Sequence, residues 1–137
     1  MNQTTAWAHL PNAALIDEVL ASLKARPEKW AAARDTTWDT TWDITWDAAR
    51  GAAWNTVQSA ARTAAWDAVW GAAWDAARDA FRGTARVAAG DVIAALIAYD
   101  DASQFMKLPV EQLKVMYRLD PHPMYLLLQP AAIFAEV

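Results

Sequence analysis

Large and small side chains recur with a period of four residues between Trp30 and Ala89. The first place of each unit holds eight Trp, six Arg and one Gln, the second is most often Asp, and the last two are nearly all Ala, Thr or Val. A period of four is close to one α-helical turn, so the first places form a ridge that drifts by about 40° per unit. We call this the Trp/Arg ridge. It predicts several amphipathic helices of about four to six units each, because on a single long helix it would wind around the whole surface.

Glycine marks the expected breaks between these helices, since it is the poorest helix-interior residue after proline. The alternative is that some glycines simply let two helices approach closely. The chain has four glycines: Gly51, Gly71, Gly83 and Gly90.

Two segments of the repeat, 38–50 and 66–78, are related at an offset of 28 residues and predict two related helices, paired antiparallel or by pseudo-symmetry. Residues 36–47 also alternate in a way that suits a half-buried strand. We favour helix, because the same columns continue without a break into Ala-rich segments, which strongly prefer helix.

Helical patterns flank the repeat on both sides. Residues 12–26 carry apolar side chains at helical spacing, and Pro27 suits the first position of the next helix. Asp91 suits the N-cap of a later helix. A short helix is expected from Pro109, and the apolar segment 124–137 is expected to pack as a kinked helix.

Composition and length fit one domain. The chain has 137 residues, 55% hydrophobic, with nine Trp, which is enough for a real core. We expect a single helical domain, 1–137, made of an N-terminal helix (12–26), the repeat helices (27–89) and C-terminal helices (90–137). The fold class is all-α, a compact bundle of five to seven helices. It is expected to be oligomeric, because so much Trp and apolar surface needs covering.

Charge and residue types exclude several functions. A net charge of −4 disfavours binding of long nucleic acid, and the absence of Cys excludes disulfides and thiolate metal sites. Neither a signal peptide nor an apolar run of membrane-spanning length is present, so a cytoplasmic location is expected, with no membrane partner. His9 and His122 have no convergent partners for a metal. No phosphate-binding glycine loop or nucleophile elbow is present, so we expect no cofactor and no enzyme activity.

A purely structural role explains most of the Trp/Arg ridge. Large rings fill space above the small residues of neighbouring helices. Asp47/Arg50 and similar i, i+3 pairs, together with Trp46/Arg50 and similar i, i+4 cation–π pairs, add small local stabilisation.

The end of the ridge fits this account least well, because three arginines in succession at i, i+4 spacing repel one another. On the ridge, Trp66, Trp70 and Trp74 are followed directly by Arg78, Arg82 and Arg86. Aromatic faces beside guanidinium forks suit a planar anion, whose ring stacks while its phosphate or carboxylate is bound by the forks. The predicted ligand-binding residues are Trp66, Trp70, Trp74, Arg78, Arg82 and Arg86.

The units Trp42 to Arg50 and Trp66 to Arg82 resemble Ala-rich tandem-repeat proteins of bacteriophages and bacteria, most of which have no assigned function. The resemblance covers about half the chain and implies a helical fold and a phage or bacterial origin. It suggests a phage counter-defence protein that sequesters a nucleotide-like host molecule in the host cytoplasm. The alternative is a protein–protein interaction module that binds a host protein through exposed Trp and Arg.

Overall fold

The structure is a computed structural model that describes residues 7–37, 43–57, 60–76 and 82–136. None of these residues lies in a strand, which confirms the predicted all-helical fold for the described part of the chain. Within the same ranges, no helix combines the length and apolarity needed to cross a membrane. The helices are α1 (Ala13–Ala25), α2 (Pro27–Thr37), α3 (Asp43–Thr56), α4 (Ala60–Ala76), α5 (Arg82–Ala98), α6 (Val110–Leu119), α7 (Pro123–Leu127) and α8 (Gln129–Glu136), with a 3-10 helix at Ala102–Phe105.

The core is built around α5, which contacts α1, α2, α3, α4, α7 and α8. Every residue from Ala88 to Ala98 is buried. Because α5 is buried on every side along this segment, its small and aliphatic residues face other helices in all directions. The repeat helices α2, α3 and α4 each pack against α5.

The four glycines do not separate the repeat helices, so this prediction is wrong. Gly51 lies inside α3, Gly71 inside α4, and Gly83 and Gly90 inside α5. The ends of these helices border 38–42, 58–59 and 77–81, which are outside the described residues. The low helix propensity of glycine is a weak effect, and tertiary packing overrides it here. The alternative, close approach of another group to glycine, holds at Gly90.

The strand alternative for 36–47 is wrong wherever the structure describes it, because 36–37 belong to α2 and 43–47 to α3. The prediction for 38–42 lies outside the described residues. Asp91 is not an N-cap either, since α5 begins at Arg82 and passes through it.

The helix start predicted at Pro27 is confirmed. The helix α2 begins at Pro27, with Glu28 in its first turn. The apolar C-terminal segment forms two short helices, α7 and α8, where a single kinked helix was predicted. Pro130 is the second residue of α8, a position at which its missing N–H has no helical partner to lose.

The C-terminal end of α5 is held by side chains from other parts of the chain. The buried Asn12 amide donates to the carbonyl oxygens of Leu96 (3.0 Å) and Tyr99 (3.1 Å). The Arg62 guanidinium donates to the carbonyl oxygen of Ile97. These bonds satisfy carbonyls that have no partner within the helix, and the cation also complements the negative end of the helix dipole.

Because the pKa of Tyr99 is raised, we expect a loss of stability at alkaline pH. Burial raises the pKa of Tyr99 above its ordinary value of 10.0, against a smaller opposing effect of a hydrogen bond with Thr56. Because the pKa is raised in the folded state, the stabilisation is complete below pH 10 and is lost as the pH rises through the folded-state pKa. The free energy of unfolding of wild type should therefore fall relative to that of Tyr99→Phe as the pH rises above 10, measured by urea denaturation. An unchanged difference between the two proteins from neutral pH to above pH 10 would contradict the assignment to Tyr99.

Candidate functional site

The Trp/Arg ridge divides into buried and exposed members. Trp30 and Trp46 are buried core residues, as the structural account predicts. Trp54, Trp70 and Trp74 are 42%, 39% and 51% exposed. Because Trp is large and apolar, each of these exposed rings is available for contact with a ligand or partner.

Two of the three tryptophans predicted to bind a ligand line one pocket. Trp66 is half-buried, and its ring packs edge-on against Trp54 at 5.1 Å between centroids. Trp66 and Trp70 both line the pocket, while Trp74 is not among its lining residues. Two of the three predicted aromatic residues, Trp66 and Trp70, therefore lie together at the pocket.

The predicted arginine run does not line this pocket as far as the structure describes it. The Arg86 guanidinium lies over the ring of Trp74, with Cζ 3.9 Å from the centroid. Its Nη1 atom is buried and has no hydrogen-bond partner among the described residues. Arg82 begins α5, but its side chain is outside the described residues, and so is Arg78 as a whole. Trp74 and Arg86 thus form a contact of their own.

The pocket lies where α2, α3 and α4 meet the central helix α5. It has a volume of about 310 Å³ and is partly open to solvent. This volume is at the lower end of the range typical of small-molecule sites, about 300–1,000 Å³. Its lining residues are Arg34 from α2, Arg50 from α3, Trp66 and Trp70 from α4, and Val87, Gly90, Asp91 and Ala94 from α5.

An ion pair between half-buried Arg50 and buried Asp91 forms the polar wall of the pocket. Arg50 Nε donates to Asp91 Oδ1 at 2.7 Å, and Arg50 Nη2 donates to Asp91 Oδ2 at 3.2 Å. Arg50 Nη1 also donates to Asp47 at 3.2 Å, and the guanidinium lies 5.6 Å from the centroid of the Trp46 ring. The predicted Asp47/Arg50 and Trp46/Arg50 pairs are therefore confirmed. The two hydrogen bonds to Asp91 fix the plane of the Arg50 guanidinium.

The charged groups of the pocket wall interact with one another. Burial raises the pKa of Asp91, against the opposing effects of the hydrogen bond and charge of Arg50 and the charge of Arg34. Burial lowers the pKa of Arg50, but the hydrogen bonds and charges of Asp91 and Asp47 together outweigh it, and the net pKa is raised. The lining holds two guanidiniums, Arg34 and Arg50, and one carboxylate, Asp91. Asp47, which accepts a hydrogen bond from Arg50, adds a second carboxylate beside the lining. A partly buried guanidinium attracts anions.

Sequence reasoning missed most of the polar wall. Arg34 and Arg50 hold first places in the repeat, so a signal for them existed. The prediction instead selected Arg78, Arg82 and Arg86 from the six arginines of the ridge, because these three follow one another. Asp91 lies beyond the repeat and had no sequence signal except that of a helix cap. Its pairing with Arg50, 41 residues away, depends on the packing of α3 on α5.

Among the described residues, no group of His, Asp or Glu side chains could hold a metal ion. No protein-family model, curated protein or solved structure matches this chain. The resemblance to tandem-repeat proteins of phages and bacteria therefore stays a prediction, and the pocket itself carries the argument about function.

Proposed function

We propose that this protein is a non-enzymatic binding protein that captures a planar, anionic, nucleotide-like small molecule in the pocket. The observation that supports this most is the meeting of two Trp rings with two guanidiniums around one cavity of about 310 Å³. The faces of Trp66 and Trp70 offer stacking for a flat ring, and stacking of a base on an aromatic side chain contributes about 1–3 kcal/mol. Arg34 and Arg50 offer hydrogen bonds to phosphate or carboxylate.

Asp91 has a positioning role in this proposal. Its side chain is 5% exposed and accepts two hydrogen bonds from Arg50, so the guanidinium has its orientation before a ligand arrives. Preorganisation of this kind raises affinity, because less side-chain freedom is lost on binding. The polar groups of the pocket wall suit binding rather than proton transfer, because the carboxylate and the Arg50 guanidinium are engaged with each other.

The biological setting that we propose follows from the resemblance to phage and bacterial repeat proteins. In this setting the protein acts in the host cytoplasm and sequesters a host signalling nucleotide as part of phage counter-defence. We also propose that it is a homo-oligomer, because Trp54 and Trp74 expose large apolar surfaces that a second copy would cover.

Binding of nucleotides tests the proposal directly. Wild-type protein is titrated calorimetrically with linear and cyclic nucleotides and nucleotide sugars, and native mass spectrometry reads the bound mass and the subunit number. For any nucleotide that binds, Trp66→Ala and Arg34→Gln should each weaken the binding by about tenfold or more. Trp66→Ala removes a stacking contact, and Arg34→Gln removes a charged one. Arg118→Gln is the charge-matched control, since Arg118 is exposed on α6 away from the pocket, and it should bind as wild type does.

The protein–protein interaction module is the second candidate function, and the exposure of Trp54, Trp70 and Trp74 favours it. Trp and Arg are the residue types that dominate binding energy at protein interfaces, and Arg86 lies directly on Trp74. Under this alternative the wild-type protein ignores every nucleotide tested. It then captures a defined host protein, and Trp74→Ala abolishes that capture while the pocket variants leave it intact.

A further inference from the structure

Gly90 lies against the Cη2 end of the Trp70 ring. A Cβ atom at position 90 would lie 2.8 Å from Trp70 Cη2, 3.3 Å from Cζ3 and 3.5 Å from Cζ2. The first of these distances is shorter than carbon atoms tolerate, so any side chain at position 90 would displace the ring. Gly51 and Gly71 differ, because among the described residues nothing lies within 4 Å of a Cβ atom at either position.

The Trp70 ring and Gly90 belong to the walls of two adjoining spaces. One is the pocket, and the other is an apolar cavity of about 10 Å³ between α4 and α5. The two spaces share Trp66, Trp70, Gly90 and Ala94. A cavity this small holds about one water molecule at most, so the ring is closely packed on its inner side. A displaced Trp70 ring would therefore change the shape of the pocket itself.

Helix propensity does not explain a glycine at position 90. Gly is less favourable than Ala inside a helix, and the two preceding residues, Ala88 and Ala89, show that α5 accepts Ala in its buried part. The described feature that requires a missing side chain at position 90 is the close approach of Trp70.

We propose that Gly90 determines the ligand specificity of the pocket by setting the position of the Trp70 ring. This inference rests on the proposed function and narrows it. Gly90, which supports the aromatic wall, is followed directly by Asp91, which holds the Arg50 fork. The ring-binding and anion-binding parts of the pocket are therefore adjacent. The ligand class is a flat aromatic ring whose anionic group lies close to it, such as a nucleoside monophosphate.

A double-mutant cycle between positions 90 and 70 tests this inference, with adenosine 5′-monophosphate as the probe. Gly90→Ala should weaken its binding by about tenfold or more, because the displaced ring no longer stacks at the right place. Trp70 is 39% exposed, so its ring has room to move outward and α5 can stay folded. In the Trp70→Phe background, the shorter ring lacks the clashing atoms, and Gly90→Ala should then change affinity by less than about twofold.

Fluorine NMR of protein labelled with 5-fluorotryptophan supplies a readout that needs no ligand. The Trp70 resonance, assigned by its loss in Trp70→Phe, should shift in Gly90→Ala. Gly71→Ala is the matched control, because it also replaces a helical glycine, and at position 71 the added methyl group meets open space. It should leave affinity unchanged, and calorimetric binding should remain that of wild type.

Two results would overturn the specificity role of Gly90. One is wild-type affinity in Gly90→Ala, and the other is an equal loss of affinity in both backgrounds, which would show that the effect does not pass through Trp70. If wild-type protein fails to bind the probe while the Trp70 resonance still shifts in Gly90→Ala, the contact is correct and the proposed function is what fails. The specificity role falls with it in that case.

Discussion

Replacing Arg50 with methionine is expected to lower the free energy of unfolding by about 3–5 kcal/mol, because it leaves the buried Asp91 carboxylate without its two-bonded partner. The side chain of Asp91 is only 5% exposed, so water replaces the lost hydrogen bonds incompletely. Arg34 lies close enough to interact electrostatically with Asp91, which favours the lower end of this range. Urea denaturation at neutral pH measures the effect.

The same arginine supplies the control. Its other carboxylate partner, Asp47, has a side chain that is 78% exposed. Exposed ion pairs contribute little, so Asp47→Asn should change the free energy of unfolding by less than about 1 kcal/mol. The double variant Arg50→Met/Asp91→Leu should recover most of the lost stability, because no buried charge then remains. If Arg50→Met costs no more than Asp47→Asn, Asp91 does not depend on Arg50, and the account of the polar wall is wrong.

The sequence predicted those parts of the fold that depend on local interactions. The spacing of Ile16, Val19 and Leu23 gives α1 a buried face, and all three are buried in the structure. Proline restricts its own backbone and has no N–H, so Pro27 marked the start of α2 correctly. These signals act within one or two turns of helix and need no knowledge of the neighbours.

The centre of the fold could not be predicted in this way. Residues 88–98 are buried on every side, and a helix without a polar face has no periodicity that indicates its orientation. The predicted helix start at Asp91 was wrong because a capping carboxylate and a buried ion-paired carboxylate look alike in sequence. What distinguishes them is Arg50 on another helix.

The candidate site was predicted in part for the same reason. The repeat indicated that Trp and Arg would occur together, and Trp66 and Trp70 do line the pocket with two arginines. The arginines selected from the sequence, Arg78, Arg82 and Arg86, were not those that line the pocket, because the repeat does not show which helices pack together. The contribution of each Trp is set by the helix that packs against it.

Trp30 and Trp74 both hold the first place of the repeat but differ in burial. Replacing them should therefore change the free energy of unfolding by different amounts. Trp30 is 2% exposed, its ring stacks on Phe134 at 4.6 Å, and its Nε1 donates to Ser22 Oγ at 3.1 Å. Trp30→Ala is therefore expected to lower the free energy of unfolding by about 3–5 kcal/mol, through lost burial and the cavity that remains. Urea denaturation followed by circular dichroism measures it.

Trp74→Ala is the matched comparison and should cost less than about 1 kcal/mol. Its ring is 51% exposed, and its main described contact is the cation–π interaction with Arg86, which contributes about 0.5–1 kcal/mol at exposed sites. Equal losses in Trp30→Ala and Trp74→Ala would mean that the ridge acts as one uniform core, and the division into core and binding surface would fail. A large loss for Trp30 with a small one for Trp74 instead leaves Trp74 available for contact with a partner, since its exposure does not serve folding.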